Sequence, residues 1–447
     1  MPDSRPEPPP PSSFPSGTPG GSSDPGALLL CGARLTDGRT VDVRLVRGRI
    51  EAVGTAGSLT PGPARSGTGT GTGTGTSRVD LSGHLLLPAP AEPHAHVDTA
   101  LTADLDGPVP YGPEDVQRRA IEAALLQLGH GATALRAQVR VGDVQGLGAL
   151  TAVLRAGRSL TGLAELTTVA MPRLLTGVAG ADGLAMLRDA LKMGASVVGG
   201  CPDLDPDPTG YVEAVLEVAA EHGCPVDLHT DACDPARLAR LAAMAGGLRP
   251  GVALGPCGGL GRLSPAAARR TADRLAAAGV TVVCLPQGGC GASEHHGTAP
   301  VRLLRAAGVR VAAGSGALRD LSNPVGRGDP LEAAYLLVSR HGLRPEEAYD
   351  AVSACARAAL GLPEVRVEAG FPAELLAVRG DRLAGALSLG YSRIVIHRGR
   401  VVARTSAVRE YCDSPAPAAA ASPAPAAAAS AAPVDRGLPR QGRGESS

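Results

Sequence analysis

The chain has 447 residues, and Lys+Arg and Asp+Glu balance at 43 each, so it carries no electrostatic footprint for nucleic acid or an acidic membrane surface. Aromatic residues make up 2% of it, with no Trp, which leaves a pocket few rings on which to stack a flat substrate. The nine cysteines are odd in number and none are spaced Cys-x-x-Cys, which argues against a disulfide scaffold or zinc knuckle.

Residues 1–26 are Pro/Ser/Gly-rich and lack the apolar core of a signal peptide, so they read as a disordered tail. No run of about 18 apolar residues is available for a membrane span, and a cytoplasmic setting is the expectation. From Ala27, short apolar stretches alternate with Gly and Asp turns: Leu28-Leu29-Leu30, Val41 to Val46, Ile50 to Val53. They predict a small antiparallel β unit. A Gly-Thr repeat over 67–76 interrupts it as a flexible loop.

Strands near Val79–Leu81 and Leu85–Leu87 lead into Glu92-Pro93-His94-Ala95-His96-Val97-Asp98. Alternate side chains of an extended segment share a face. His94 and His96 therefore point the same way, either as two metal ligands or as two unrelated histidines.

Beyond the motif, short β-branched runs alternate with long helical stretches. Eight runs read as strands: Leu85–Pro88, Ala132–Val139, Leu163–Met171, Ser196–Gly199, Pro225–Leu228, Gly251–Leu254, Val280–Leu285 and Val309–Ala313. Helices are expected over Glu114–Leu128, Leu184–Met193, Tyr211–Glu221 and Pro265–Ala278, the last capped by Ser264. Eightfold alternation predicts an α/β fold, a (β/α)8 TIM-like barrel over 89–362 with its chemistry on the loops after the strands. The β character returns at Leu375–Val378, Arg393–Ile396 and Arg400–Ala403. Residues 363–411 are expected to join 27–88 in one small β-sandwich, and 412–447 to be a disordered Ala/Pro-rich tail.

These motifs, together with Val226-Asp227-Leu228-His229-Thr230-Asp231 and Asn323-Pro324-Val325-Gly326-Arg327-Gly328-Asp329-Pro330-Leu331-Glu332, resemble the amidohydrolase superfamily, in its cytosine deaminase-like branch. The resemblance runs from Ala27 to Thr405. It implies metal-assisted hydrolysis of a C–N bond in a small cyclic amide or amino-heterocycle, with a metal-activated water as nucleophile. It also implies one divalent ion, zinc or iron, on His94, His96 and His229, a small-molecule partner, and homo-oligomers as are common in the family.

The family's usual acid/base set is missing from its positions. Gly316 stands where the metal-binding aspartate after strand eight belongs, and Ala232 where the acid/base glutamate does. Pro256, or Cys257 in a shifted register, replaces a catalytic histidine. Arg173 takes the place of a substrate-recognising glutamine, and Ser322 that of a stacking aromatic. Ordinary deaminase activity is therefore expected to be reduced or lost. The alternative is a catalytically inactive homologue, a pseudoenzyme that binds a ligand or partner. Substitute bases are Asp231 and Asp320, with Asp98 orienting the motif, and each is also an ordinary loop carboxylate in the plainer reading. Arg173 is the candidate for pairing with an anionic substrate. Ser293-Glu294-His295-His296 forms a loop that either folds over the mouth or is simply solvated, and Cys257 and Cys290 are further soft ligands on the same terms. His130, His222, His341 and His397 are assigned to structure.

Overall fold

A computed structural model describes residues 26–59, 76–142, 146–288 and 297–407. The Ser293–His296 loop, Cys290, almost all of the Gly-Thr repeat and nearly all of both tails lie outside the described residues.

Eight strands make the small β domain: β1 (Leu28–Arg34), β2 (Thr40–Val46), β3 (Arg49–Thr55), β4 (Ser77–Asp80), β5 (His84–Pro88), β14 (Leu375–Arg379), β15 (Arg393–His397) and β16 (Arg400–Thr405). They run in the order β16-β15-β14-β5-β1-β2-β3, with β4 on β1. The two ends of the chain thus meet where β14 pairs antiparallel with β5, Leu376 against Leu87. Leu30, Val43, Leu45 and Ile50 from the first segment share a core with Leu375, Ala377 and Ile396 from the last.

The barrel strands are β6 (Ala91–Ala95), β7 (Ala134–Val141), β8 (Glu165–Pro172), β9 (Val197–Gly200), β10 (Val226–Thr230), β11 (Val252–Pro256), β12 (Thr281–Cys284) and β13 (Arg310–Ala313). Each pairs with its chain neighbour in parallel. Helices α1 (Pro113–Gly129), α2 (Gly148–Ser159), α3 (Gly180–Met193), α4 (Pro208–His222), α5 (Pro235–Ala245), α6 (Pro265–Ala277), α7 (Val301–Ala306) and α8 (Pro330–Ser339) alternate with them outside. Ser264 caps α6 as expected, accepting from Ala267 N. Small side chains fill the floor of the barrel, Ala91, Ala134, Ala253 and Ala312 with Val283, and Ala356 and Leu360 around the short helix Ala354–Ala359 plug it from below.

One strand differs from expectation. Leu85–Pro88 belongs to the β-sandwich, and the first barrel strand is Ala91–Ala95. Pro88 and Pro90 lack N–H donors and break the ladder between the two. Pro93 is tolerated because it sits in a bulge, where the register shifts between Glu92 and Ala95.

The Asp329 of the Gly-Asp-Pro-Leu-Glu motif joins barrel to sandwich. Its Oδ1 accepts from Leu331 N at 2.9 Å, capping α8, while Arg393 on β15 grips both carboxylate oxygens at 2.8 and 2.6 Å. Burial would raise this carboxyl, but the Arg393 hydrogen bonds and charge outweigh it and hold the pKa below its usual value. A group with a lowered folded-state pKa stabilises above its unfolded value and loses that contribution as pH falls. Asp329→Asn keeps the cap oxygen and loses the charge. It is expected to cost about 1.5–3 kcal/mol in urea unfolding at pH 7, a difference that shrinks below about pH 4.

Candidate metal centre

The bulge in β6 decides where the histidines face. Ala95 pairs with Ala137 and packs in the outer core, so His94 and His96 on either side of it turn into the barrel. On β10, Asp227 and His229 share the inward face in the same way. His229 Nε2 lies 3.2 Å from His96 Nε2, and the His94 ring lies 4.2 Å from the His229 ring, centroid to centroid. One ligand atom from each of the three falls within 4.8 Å of the others.

This arrangement fits a single ion. Two imidazole nitrogens each about 2.0–2.1 Å from one tetrahedral ion lie about 3.3 Å apart. His229 Nδ1 is buried without a hydrogen-bond partner among the described residues. All three rings are held neutral, the form that ligates metal. Burial first, then the neighbouring rings and Arg136, push His94 well below its usual value. Burial, His96 and Arg140 do the same to His229. Burial lowers His96 to about 4, with Asp320 opposing and Arg140 adding to the drop.

A second polar group locks the barrel seam behind the histidines. Glu92 Oε1 accepts from His94 N at 2.9 Å, and Oε2 accepts from Ser315 N and Oγ at 2.8 and 2.6 Å. Gln127 on α1 donates to the same Ser315 Oγ. Gly316 N then donates to His94 O, and Ala95 and Gly316 bridge the last gap in the barrel. Burial raises the Glu92 carboxyl to about 7 against these hydrogen bonds. An acid raised in the folded state contributes stability that is present below its unfolded value, near 4.5, and lost as pH rises through 7. In metal-free protein, Glu92→Gln is expected to remove up to about 3 kcal/mol of pH dependence between pH 4.5 and 7.5, whatever its absolute stability. Urea unfolding at a series of pH values measures it.

The candidate carboxylates part company. Asp231 Oδ1 accepts from Gly259 N, and its Oδ2 takes Arg262 Nη2 at 2.5 Å and Cys233 Sγ at 2.9 Å. Asp320 is buried; it accepts from Thr99 Oγ1 at 2.8 Å and from Ser322 and Asn323 N, and its charge reaches His96. Asp98 is buried, its carbonyl held by Arg119 at 3.0 Å, and burial raises its carboxyl to about 6. Arg173 is exposed just beyond β8.

Three residues after barrel strands share one backbone feature: Ala232, Cys257 and Gly316 have φ of 60°, 56° and 70°. Two of them are non-glycine residues in the left-handed region, which is costly and concentrates at functional sites. Pro256 ends β11 in register with Thr230, and Cys257 is fully buried. Of the histidines assigned to structure, His130 faces Gly328 O and His397 pairs with Glu374.

Sequence reasoning passed over Glu92, Arg136, Gln138 and Arg140. The last three were visible as polar residues at every second position of β7, a pattern that marks one face of a strand.

A model of the amidohydrolase family matches residues 126–403. The pterin deaminase of Rhizobium rhizogenes (strain K84) is 30% identical over 240 residues, 49% of this chain and 54% of that one. The N-isopropylammelide isopropyl amidohydrolase of Pseudomonas sp. (strain ADP) is 26% identical over 177 residues, 34% of this chain and 43% of that one. The chain thus spans about half the length of the curated relatives it matches. The crystal structure of N-isopropylammelide isopropylaminohydrolase from Burkholderia multivorans superposes with a TM-score of 0.74 at 26% identity, covering 85% of this chain and 99% of that one. That of 5-methylcytosine deaminase from Klebsiella pneumoniae superposes at 0.71 and 23%, over 86% and 99%, a likeness of fold. No helix among the described residues is long and apolar enough to cross a membrane.

Proposed function

The chain belongs to the amidohydrolase family, and from that premise we propose that it hydrolyses a C–N bond in a small cyclic amide or amino-heterocycle. The observation that carries this reading is the neutral cluster of His94, His96 and His229 gathered at one end of a parallel barrel, the end where such barrels carry their chemistry. A divalent ion held there, zinc or iron, would act as a Lewis acid and make water a nucleophile at neutral pH.

Asp320 is our choice for the proton acceptor. It is buried beside His96 and oriented by Thr99 and two backbone amides. Asp231 is less suited, because Arg262 and Cys233 occupy its carboxylate. Gly316, Ala232 and Pro256 carry no proton-transferring group, and a positioned acid/base contributes about 10²–10⁴ in rate. Turnover of ordinary deaminase substrates is accordingly reduced. Arg173 lines the rim on the side of β8.

The screen begins with pterins and N-isopropylammelide, the compounds named for the matched relatives, and reads release of ammonia or amine. On any substrate found, Asp320→Asn is expected to lower kcat about 10²-fold or more with metal retained, and Asp231→Asn to stay within a few-fold. A site that binds metal and releases nothing from any ring, whatever the pH, leaves the second reading, an inactive ligand-binding homologue. The left-handed glycine at 316, without a carboxylate, favours that reading.

A further inference from the structure

β7 carries inward side chains that the hydrolytic reading does not use. Leu135, Ala137 and Val139 pack outward in the core, and Arg136, Gln138 and Arg140 face the barrel. Arg136 fixes that direction, because its Nη1 reaches Asp227 Oδ2 on the inward face of β10 at 3.1 Å. Arg140 lies four residues nearer the mouth, about 13 Å further along the strand, and is exposed there. Its ladder partner is Met171, which places it next to the strand end that carries Arg173.

As the last inward residue before β7 ends, Arg140 stands at the mouth that the barrel strands enclose. Among the described residues it makes no hydrogen bond or ion pair. An arginine held at a substrate entrance without a protein acceptor offers its whole planar fork to a ligand.

We propose that Arg140 is the specificity residue of this site, taking a carboxylate substituent on the substrate ring in a two-pronged contact. The proposal rests on the histidine cluster being the reaction centre. A carboxylate fits better than a phosphate, because it matches the fork with a single charge and two oxygens. Asp98 and Asp320 stand on the same side of the barrel and oppose a second negative charge.

The test uses the full chain, analysed for metal, in titration calorimetry with matched rings. Aminopyrimidine, amino-triazine and aminopterin nuclei are each offered neutral, carboxylated and phosphorylated. At least one carboxylated ring is expected to bind about 10- to 100-fold tighter than its neutral twin. Arg140→Ala is expected to abolish that preference, and Arg140→Lys to keep part of it. Neutral or phosphorylated rings preferred throughout, no carboxylated ring bound, or a preference that survives in Arg140→Ala would each overturn the proposal. Product release is read in the same samples. Arg140-dependent binding without release refutes the hydrolase reading and leaves this one standing. Release from neutral rings with no effect of Arg140 does the reverse.

Discussion

Replacing His94 or His229 with alanine is expected to leave less than about a tenth of an ion per chain, where wild type purified with zinc or iron carries about one. The reasoning is additive. A four-ligand zinc site has an apparent binding energy of about 10–16 kcal/mol, so each ligand accounts for about 3–4 kcal/mol, or about 10²–10³ in affinity. Two nitrogens and solvent do not hold an ion through dialysis at that loss. The same measurement has a built-in control. His130→Ala removes a histidine that faces a backbone carbonyl away from the cluster, and its metal content should match wild type. Added zinc should also raise the melting temperature of wild type, because it binds the folded chain alone, and should leave both cluster variants where they were. Wild-type metal content in either variant would remove the cluster from consideration as the metal site.

Arg136→Met is expected to destabilise the fold by about 3–5 kcal/mol at pH 8. The pair it breaks is almost wholly enclosed, with side chains 2% and 0% exposed and 3.1 Å between Arg136 Nη1 and Asp227 Oδ2. Removing the guanidinium leaves a carboxylate inside the barrel with no counter-charge. Burial already raises the Asp227 pKa, and the charge of Arg136 is the main force that lowers it. Without Arg136 the carboxyl rises further, and a raised acid loses stability as pH rises. The penalty should therefore be smaller at pH 5 than at pH 8. Adding Asp227→Leu should recover most of it, since a buried pair replaced whole by apolar side chains is often neutral. Urea unfolding of the single and double variants at both pH values decides the matter. Equal penalties at the two values would show that lost packing, not the stranded charge, is responsible.

Seven of the eight barrel strands lie within a few residues of where their β-branched and apolar runs placed them, because strands covered on both faces read as near-continuous apolar stretches. The first escaped for the same reason in reverse. Leu85–Pro88 is the more strand-like text, and Ala91-Glu92-Pro93-His94-Ala95 hardly reads as a strand at all. Its inward residue is a histidine of the cluster and its outward Glu92 is a latch for Ser315, so neither obeys a hydrophobic pattern. The histidine cluster was legible through motif and alternation. What each carboxylate does was not, since Asp231 and Asp320 differ only in partners far away in sequence, Arg262 for one and Thr99 for the other. Arg140 was overlooked because a single arginine looks like surface until the strand's inward face is known.

The barrel closes through main-chain bonds at Gly316 and through Glu92 and Ser315, and none of these needs a side chain at 316. Closure of the wall at Gly316 is therefore a matter of backbone alone, independent of any side-chain chemistry there. A Cβ at 316 would lie 3.0 Å from Leu285 Cδ1 on a backbone with φ of 70°. The Gly288 carbonyl oxygen would stand 3.3 Å from the same Cβ, so placing an acid at 316 strains the backbone and asks both Leu285 and the Gly288 main chain to give way.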